Sequence, residues 1–201
     1  MGPTGMKVLV AGDSFAVRKN TNHDNTGWPQ LLAQEYQITN VAQAGVSEYK
    51  IIKQLQSQTL DEFDALVVVH TSPFRVHVQT HALHTTSPTH QYCDLIYQDL
   101  LSSDSTQPQI LAALGYFQYI FDTEYYLDLY KMFLSTCNYM TKNHNVLHVS
   151  FFNNQIHTPF TEFRCLHEVF NKHPGSVNHL SKIGNLSTYR IINTWLQNPN
   201  Y

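Results

Sequence analysis

The sequence predicts an α/β fold, a three-layer α/β/α sandwich on a mainly parallel five-stranded sheet, and three observations carry that reading. Short apolar runs rich in branched side chains recur along the 201 residues, mixed segments of helical length separate them, and no linker or internal repeat interrupts the alternation. A chain of this length holds one sizeable core. Residues 6–201 therefore read as a single domain. The Gly/Pro-rich opening, residues 1–5, reads as a flexible extension or expression remnant ahead of a second methionine, Met6.

The five runs are Lys7 to Ala11, Gln37 to Ala42, Ala65 to Val69, Gln109 to Leu114 and Asn145 to Ser150. Each has the length and branching of a strand buried on both faces, although Leu and Ala make the fourth equally suited to a helix. Trp28-Pro29 opens a helix, because proline at an early helical position loses only an N–H that has no partner there. Leu31, Leu32 and Tyr36 continue it to about Gln37. Ser47 is placed to cap the next helix, with Glu48 in its first turn, Val46 and Ile51 at staple spacing, and Ile52 and Leu55 extending its apolar side. Further helices are predicted at about Tyr92 to Leu101, Thr123 to Lys142 and Leu180 to Leu196, the last burying Ile183, Leu186, Ile191 and Trp195. Pro73 to Gln91 and Phe151 to Pro174 break the pattern, as long surface segments that shape a site do.

Composition narrows the function. Twelve Lys plus Arg against fifteen Asp plus Glu give a net charge of −3 with no basic stripe, which argues against nucleic acid as a partner. No apolar run approaches the roughly 20 residues of a membrane span, and the N-terminus lacks a basic-then-apolar leader, so a soluble cytoplasmic protein is expected. Cys93, Cys137 and Cys165 lie far apart with no C-x-x-C, which fits a reducing compartment and disfavours a disulfide framework or zinc knuckle. G-x-S-x-G, P-loop, G-x-G-x-x-G and H-E-x-x-H patterns are absent. His77, His81 and His84 have helical spacing but no evident fourth ligand. No metal and no cofactor are expected.

In open parallel sheets, ligands bind beyond the carboxyl ends of the strands, so the residues after each run are the candidates. The first run leads into Gly12-Asp13-Ser14-Phe15, where a serine on a tight turn would expose its hydroxyl as a nucleophile; Asp13 and Ser14 capping a helix is the competing reading. The second leads to Gly45 just before a helix N-terminus, where its N–H suits an anionic oxygen and its backbone freedom equally suits a left-handed turn. His179 stands at the entrance to the last helix, in Asn178-His179-Leu180-Ser181-Lys182-Ile183-Gly184-Asn185. The aromatic residues from Tyr116 to Tyr139 pack a helix or line a pocket.

Taken together, Val10 to Ser14, Trp28 to Leu32, Asn40 to Ser47 and His179 to Asn185 resemble, in order and placement, the SGNH hydrolases, or GDSL esterase/lipase family. The resemblance implies a flavodoxin-like fold and a serine esterase acting on small-molecule esters, of small acyl or acetyl type, through an acyl-enzyme. By resemblance Ser14 is the nucleophile, His179 the general base, and the N–H groups of Ser14 and Gly45 are oxyanion donors. Two positions depart from the family pattern. Where it has Gly-x-Asn-Asp, this chain has His70-Thr71-Ser72-Pro73-Phe74-Arg75. Ser72, or Thr71 beside it, is the expected substitute donor to the oxyanion, with Thr71 and Arg75 contacting substrate. Where the family has an aspartate three residues before the histidine, this chain has Ser176, and shifting the register to His173 gives Phe170. His179 is preferred over His173 for its Leu-Ser-x-x-Gly-Asn continuation, with a backbone carbonyl or a distant acid such as Glu168 orienting the imidazole. The rival functions are O-acyl transfer to sugar hydroxyls and a non-catalytic carbohydrate- or partner-binding module.

Overall fold

A computed structural model of the chain describes residues 5–17, 27–84, 86–87, 90–103, 106–153, 159–175 and 179–198. Five strands, β1 (Lys7–Gly12), β2 (Gln37–Asn40), β3 (Ala65–His70), β4 (Val146–Ser150) and β5 (Phe163–Cys165), form one sheet in the order β2-β1-β3-β4-β5. All four pairings are parallel. The helices are α1 (Trp28–Leu32), α2 (Glu48–Gln56), α3 (Tyr97–Leu101), α4 (Pro108–Tyr119), α5 (Thr123–Thr141), α6 (His167–Lys172) and α7 (Lys182–Gln197).

The alternation of side chains along each strand divides the core in two. Val8, Val10, Val67, Val69, Leu147 and Val149 point to one face and pack against Trp28 and Leu32 of α1 and Ile192, Trp195 and Leu196 of α7. Leu9, Ala11, Leu66 and Val68 point to the other, against Ile51 and Leu55 of α2 and Tyr130, Leu134 and Cys137 of α5. These are the three layers. A smaller cluster, Leu95, Leu100 and Ile110 with Val76, Leu83 and Phe117, joins α3 and α4 to the segment after β3. Among the described residues no helix is long and apolar enough to cross a membrane.

The chain runs from β1 outward to β2, then back past β1 to β3. The direction of winding therefore reverses between β1 and β3, and at such a switch point the two connections diverge and leave a crevice at the carboxyl ends. Ser14 follows β1 and Thr71-Ser72 follow β3.

Four expectations are corrected. Gln109 to Leu114 is not a strand but the first half of α4, started by Pro108 and sustained by Leu and Ala; only Ile110 of that helix is buried. The fifth strand is instead Phe163–Cys165, a three-residue edge strand whose Arg164 and Cys165 are exposed, so it carries no apolar run. The helix expected from Tyr92 begins only at Tyr97, since Leu95 is bridged in extended form to Val76. In α7, Ile183 and Leu186 are exposed, and the inner face is Gly184, Asn185, Thr188, Ile192, Trp195 and Leu196.

Candidate active site

The turn after β1 is held from four directions. Gly12 has φ +149, and a Cβ there would meet the Val69 carbonyl oxygen at 2.6 Å, so only glycine lets β1 lie this close to β3. Gln54 of α2 clamps the same residue, its Oε1 accepting from the Gly12 N–H at 2.7 Å and its Nε2 donating to the Gly12 carbonyl at 3.1 Å. Asp13 Oδ1 accepts from the Phe15 N–H at 3.0 Å. Trp28 Nε1 donates to the Phe15 carbonyl at 2.7 Å, and Asn40 Nδ2 to the Ala16 carbonyl at 2.8 Å. Residues 15–17 are not helical, so among the described residues Ser14 caps no helix; it sits half-buried at the top of β1.

His179 arrives from the other end of the chain. An antiparallel bridge pairs Pro174 with Leu180, the Gly175 N–H donates to the His179 carbonyl, and His179 stands just ahead of α7. Asn185 in the first turns of α7 completes the support. Its Nδ2 donates to the carbonyls of Leu180 and Ser181, both at 3.2 Å, and its Oδ1 accepts from the Trp28 N–H at 3.1 Å. A small cleft results, lined by Ser14, Phe15, Val17, Gly27, His179, Leu180 and Asn185. His173 does not line it. Glu168 is exposed on α6 and paired with Lys172 at 3.1 Å, so it is not the acid that orients His179. Ser176 lies outside the described residues.

The remaining predicted residues gather around Arg75, whose backbone N–H donates to the Ser72 carbonyl at 3.4 Å. Arg75 Nε donates to Thr71 Oγ1 at 3.2 Å and its Nη1 to the Gly45 carbonyl at 3.3 Å. Asp13 lies beside Thr71, and its carboxyl is raised to about 6 by complete burial, opposed in part by the Arg75 charge. Gly45 has φ +67, with Cys93 Sγ 2.7 Å from where a Cβ would stand. Ser72 and Arg75 line a second cleft with Ser47, Glu48 and the aromatic face of α5 formed by Tyr126, Tyr130 and Phe133. The Ser72 hydroxyl oxygen accepts from the Phe74 N–H at 3.4 Å. The structure thus lines one cleft with Ser14 and His179 and another with Ser72 and Arg75, while Gly45 and Thr71 are part of neither lining.

Several residues of the site carried no readable signal. Asp94, fully buried, caps α2 in place of Ser47. Its Oδ2 accepts from the Ser47 N–H at 2.7 Å, while its Oδ1 takes the Val78 N–H at 2.9 Å and the Lys50 ammonium at 2.7 Å. Nothing in Cys93-Asp94-Leu95 announces this, because every partner is distant along the chain. His77, Lys50's neighbour on Asp94, pairs there at 3.2 Å, and the His81 and His84 rings stack on each other at 4.7 Å, so the three histidines do not converge. The three cysteines are free thiols.

No protein-family model and no curated protein matches the chain. Among solved structures, one similar to it is a protein described as a GDSL-like lipase from Parabacteroides merdae, at 15% identity and a TM-score of 0.36, covering 75% of this chain. Another is an extracellular lipase from Streptomyces rimosus, at 12% identity and a TM-score of 0.37, covering 97% of this chain and 76% of that one. The chain spans 60% of the length of the first.

Proposed function

We propose that this protein is a serine esterase that hydrolyses small acyl esters through an acyl-enzyme, with Ser14 as nucleophile and His179 as general base. The observation that carries the reading is that two residues from opposite ends of the chain line one cleft beyond the carboxyl end of β1, a strand that borders the switch point of a doubly wound sheet. The resemblance of their surrounding motifs to SGNH hydrolases supports it. In the proposed cycle His179 takes the Ser14 proton as Oγ bonds to the carbonyl carbon, and the carbonyl π electrons move to oxygen. The Ser14 and Gly45 N–H groups, with Ser72 or Thr71 nearby, stabilise that oxyanion. Collapse breaks the bond to the alcohol, which leaves with the proton from His179. Water activated by His179 then releases the acid and restores Ser14. Arg75 orders the Thr71 and Gly45 loops and contacts polar substrate groups at the second cleft.

Turnover of a short-chain aryl ester and labelling by a serine-directed phosphonate test this directly. Ser14→Ala is expected to lose the label and roughly 10,000-fold in kcat with the fold intact, and His179→Ala roughly 1,000-fold or more. Label retained in Ser14→Ala, or greater damage from His173→Ala than from His179→Ala, rejects the assignment. Product analysis with acceptor sugars separates hydrolysis from acyl transfer.

A further inference from the structure

On the α5 side of the sheet, behind the Glu48 that lines the second cleft, β3 ends in His70 and β4 carries His148, each only 1% exposed. Their hydrogens are assigned by the groups outside them. His70 Nδ1 lies 2.7 Å from Glu48 Oε1, a carboxylate acceptor, so Nδ1 carries the hydrogen. His148 Nε2 lies 3.3 Å from Thr141 Oγ1, whose own hydrogen is given to the Cys137 carbonyl at 2.9 Å. With its hydrogen so placed Thr141 accepts from His148, and Nε2 of His148 carries the hydrogen.

In that tautomer pair His70 Nε2 and His148 Nδ1, 2.9 Å apart, face each other with lone pairs; a hydroxyl hydrogen turned from the Cys137 carbonyl to His148 Nε2 would instead make the contact an N–H···N bond. Two acceptors at that distance repel unless an electropositive centre stands between them. The third group there is a thiol: Cys137 Sγ and the ligand nitrogens of both histidines lie within 4.8 Å of one another, all buried. We propose that His70 Nε2, His148 Nδ1 and Cys137 Sγ form a zinc site that staples β3, β4 and α5 together.

Zinc bonds of ordinary length and tetrahedral angle set two nitrogens about 3.3 Å apart and a nitrogen and sulfur about 3.5 Å apart. The rings need to part by only about 0.4 Å to admit the ion. Charge also closes, since a thiolate from Cys137 and the Glu48 carboxylate neutralise the dication, as a buried ion requires. Glu48 and Thr141 stand as the outer partners that fix ring orientation in metal sites. Phe160 lies stacked over both imidazoles, at 4.8 Å from His70 and 3.6 Å from His148, and shields them from solvent. Beneath Phe160 the ion would be out of reach of an ester substrate, its fourth position left to a water or small anion. Because Glu48 Oε2 also accepts from the Thr71 N–H at 3.4 Å, the metal would hold the start of α2 against the loop after β3.

The full chain, expressed with zinc in the medium and passed into metal-free buffer, is expected to retain about one zinc per molecule by elemental analysis. Protein unfolded in chelator and refolded with Co2+ is expected to show a thiolate-to-cobalt charge-transfer band, lost in Cys137→Ser. Refolding with Zn2+ should raise the melting temperature over refolding without it. Glu48→Gln, which keeps an acceptor but loses the charge, should weaken zinc binding roughly 10-fold or more. Zinc-fed protein without metal and with a melting temperature indifferent to Zn2+ overturns the proposal, leaving a shared proton between the imidazoles. Zinc retained in full by a Cys137→Ser/His148→Ala double variant also overturns it, by placing the ion on other histidines.

Discussion

Asp13 is wholly buried beside the proposed nucleophile, where its carboxylate is both a cost and a fastener. Loss of hydration pushes its pKa up to about 6, while Arg75, the Phe15 N–H and Thr71 pull the other way. A folded value above the unfolded one means the native state binds the extra proton. Its contribution to stability is therefore full below the unfolded value of 3.8 and is lost as pH rises to about 6. Asp13→Asn keeps an oxygen for the Phe15 N–H and removes the titration. The variant is expected to be more stable than wild type at pH 7, by at most about 3 kcal/mol, and to lack the decline between pH 4 and 6. Urea unfolding across that range measures both; a variant less stable at pH 7 would show that the Arg75 attraction outweighs burial.

Among the elements, α2 shows how a helix start legible in sequence is held by a residue that is not. Ser47 stands at the N-cap in extended conformation, yet its hydroxyl makes no cap bond, and its Oγ is buried with no hydrogen bond among the described residues. Asp94 does the capping from another loop and also holds Val78 and Lys50. Ser47→Ala is accordingly expected to cost less than about 0.5 kcal/mol, below the ~1 kcal/mol of an ordinary cap. Asp94→Ala should cost about 2–4 kcal/mol, because it orphans two backbone donors and a mostly buried ammonium. Denaturant midpoints at constant m-value decide the order. The α5 aromatics follow a similar logic: Tyr126 and Tyr130 shape the second cleft, while Tyr116 pairs with Tyr126 through their hydroxyls at 2.7 Å.

For the molecule as a whole, pH acts in two opposite directions. His81, buried beside His84, is held down to about 4, chiefly by desolvation, so the fold keeps it neutral. Its contribution is present above the unfolded value of 6.5 and is lost as pH falls toward 4. Asp13 moves stability the other way over the lower part of that range, so the wild-type profile is a partial cancellation. His81→Asn retains an acceptor for the Leu83 N–H, which Nδ1 now receives at 3.1 Å. Thermal scans should show the variant losing less stability than wild type between pH 6.5 and 4; superimposable profiles would remove His81 as a source of acid sensitivity.

β1, β3 and β4 were legible because a strand covered on both faces must be apolar at nearly every position, β2 from its shorter apolar run, α2 from its cap and staple spacing, and α5 from apolar periodicity. The turn at Ser14 was legible because glycine at a strand end leaves a local mark, and His179 was singled out by the family-like Leu-Ser-x-x-Gly-Asn after it; the structure places both in one cleft. Edge strand β5 left none: with Arg164 and Cys165 exposed, it has no apolar run to detect. Gln109 to Leu114 read either way because Leu and Ala suit both states, and its place beside Leu95 and Leu100, not against the sheet, settled it as α4. Asn185 and Thr188 displaced Ile183 and Leu186 from the inner face of α7 because Asn185 meets the Trp28 N–H, a partner supplied by a helix far away in sequence. The capping by Asp94, the burial of Asp13 and the meeting of His70, Cys137 and His148 have the same origin. Each depends on desolvation and on polar partners brought from distant segments, and those exist only once the layers have packed.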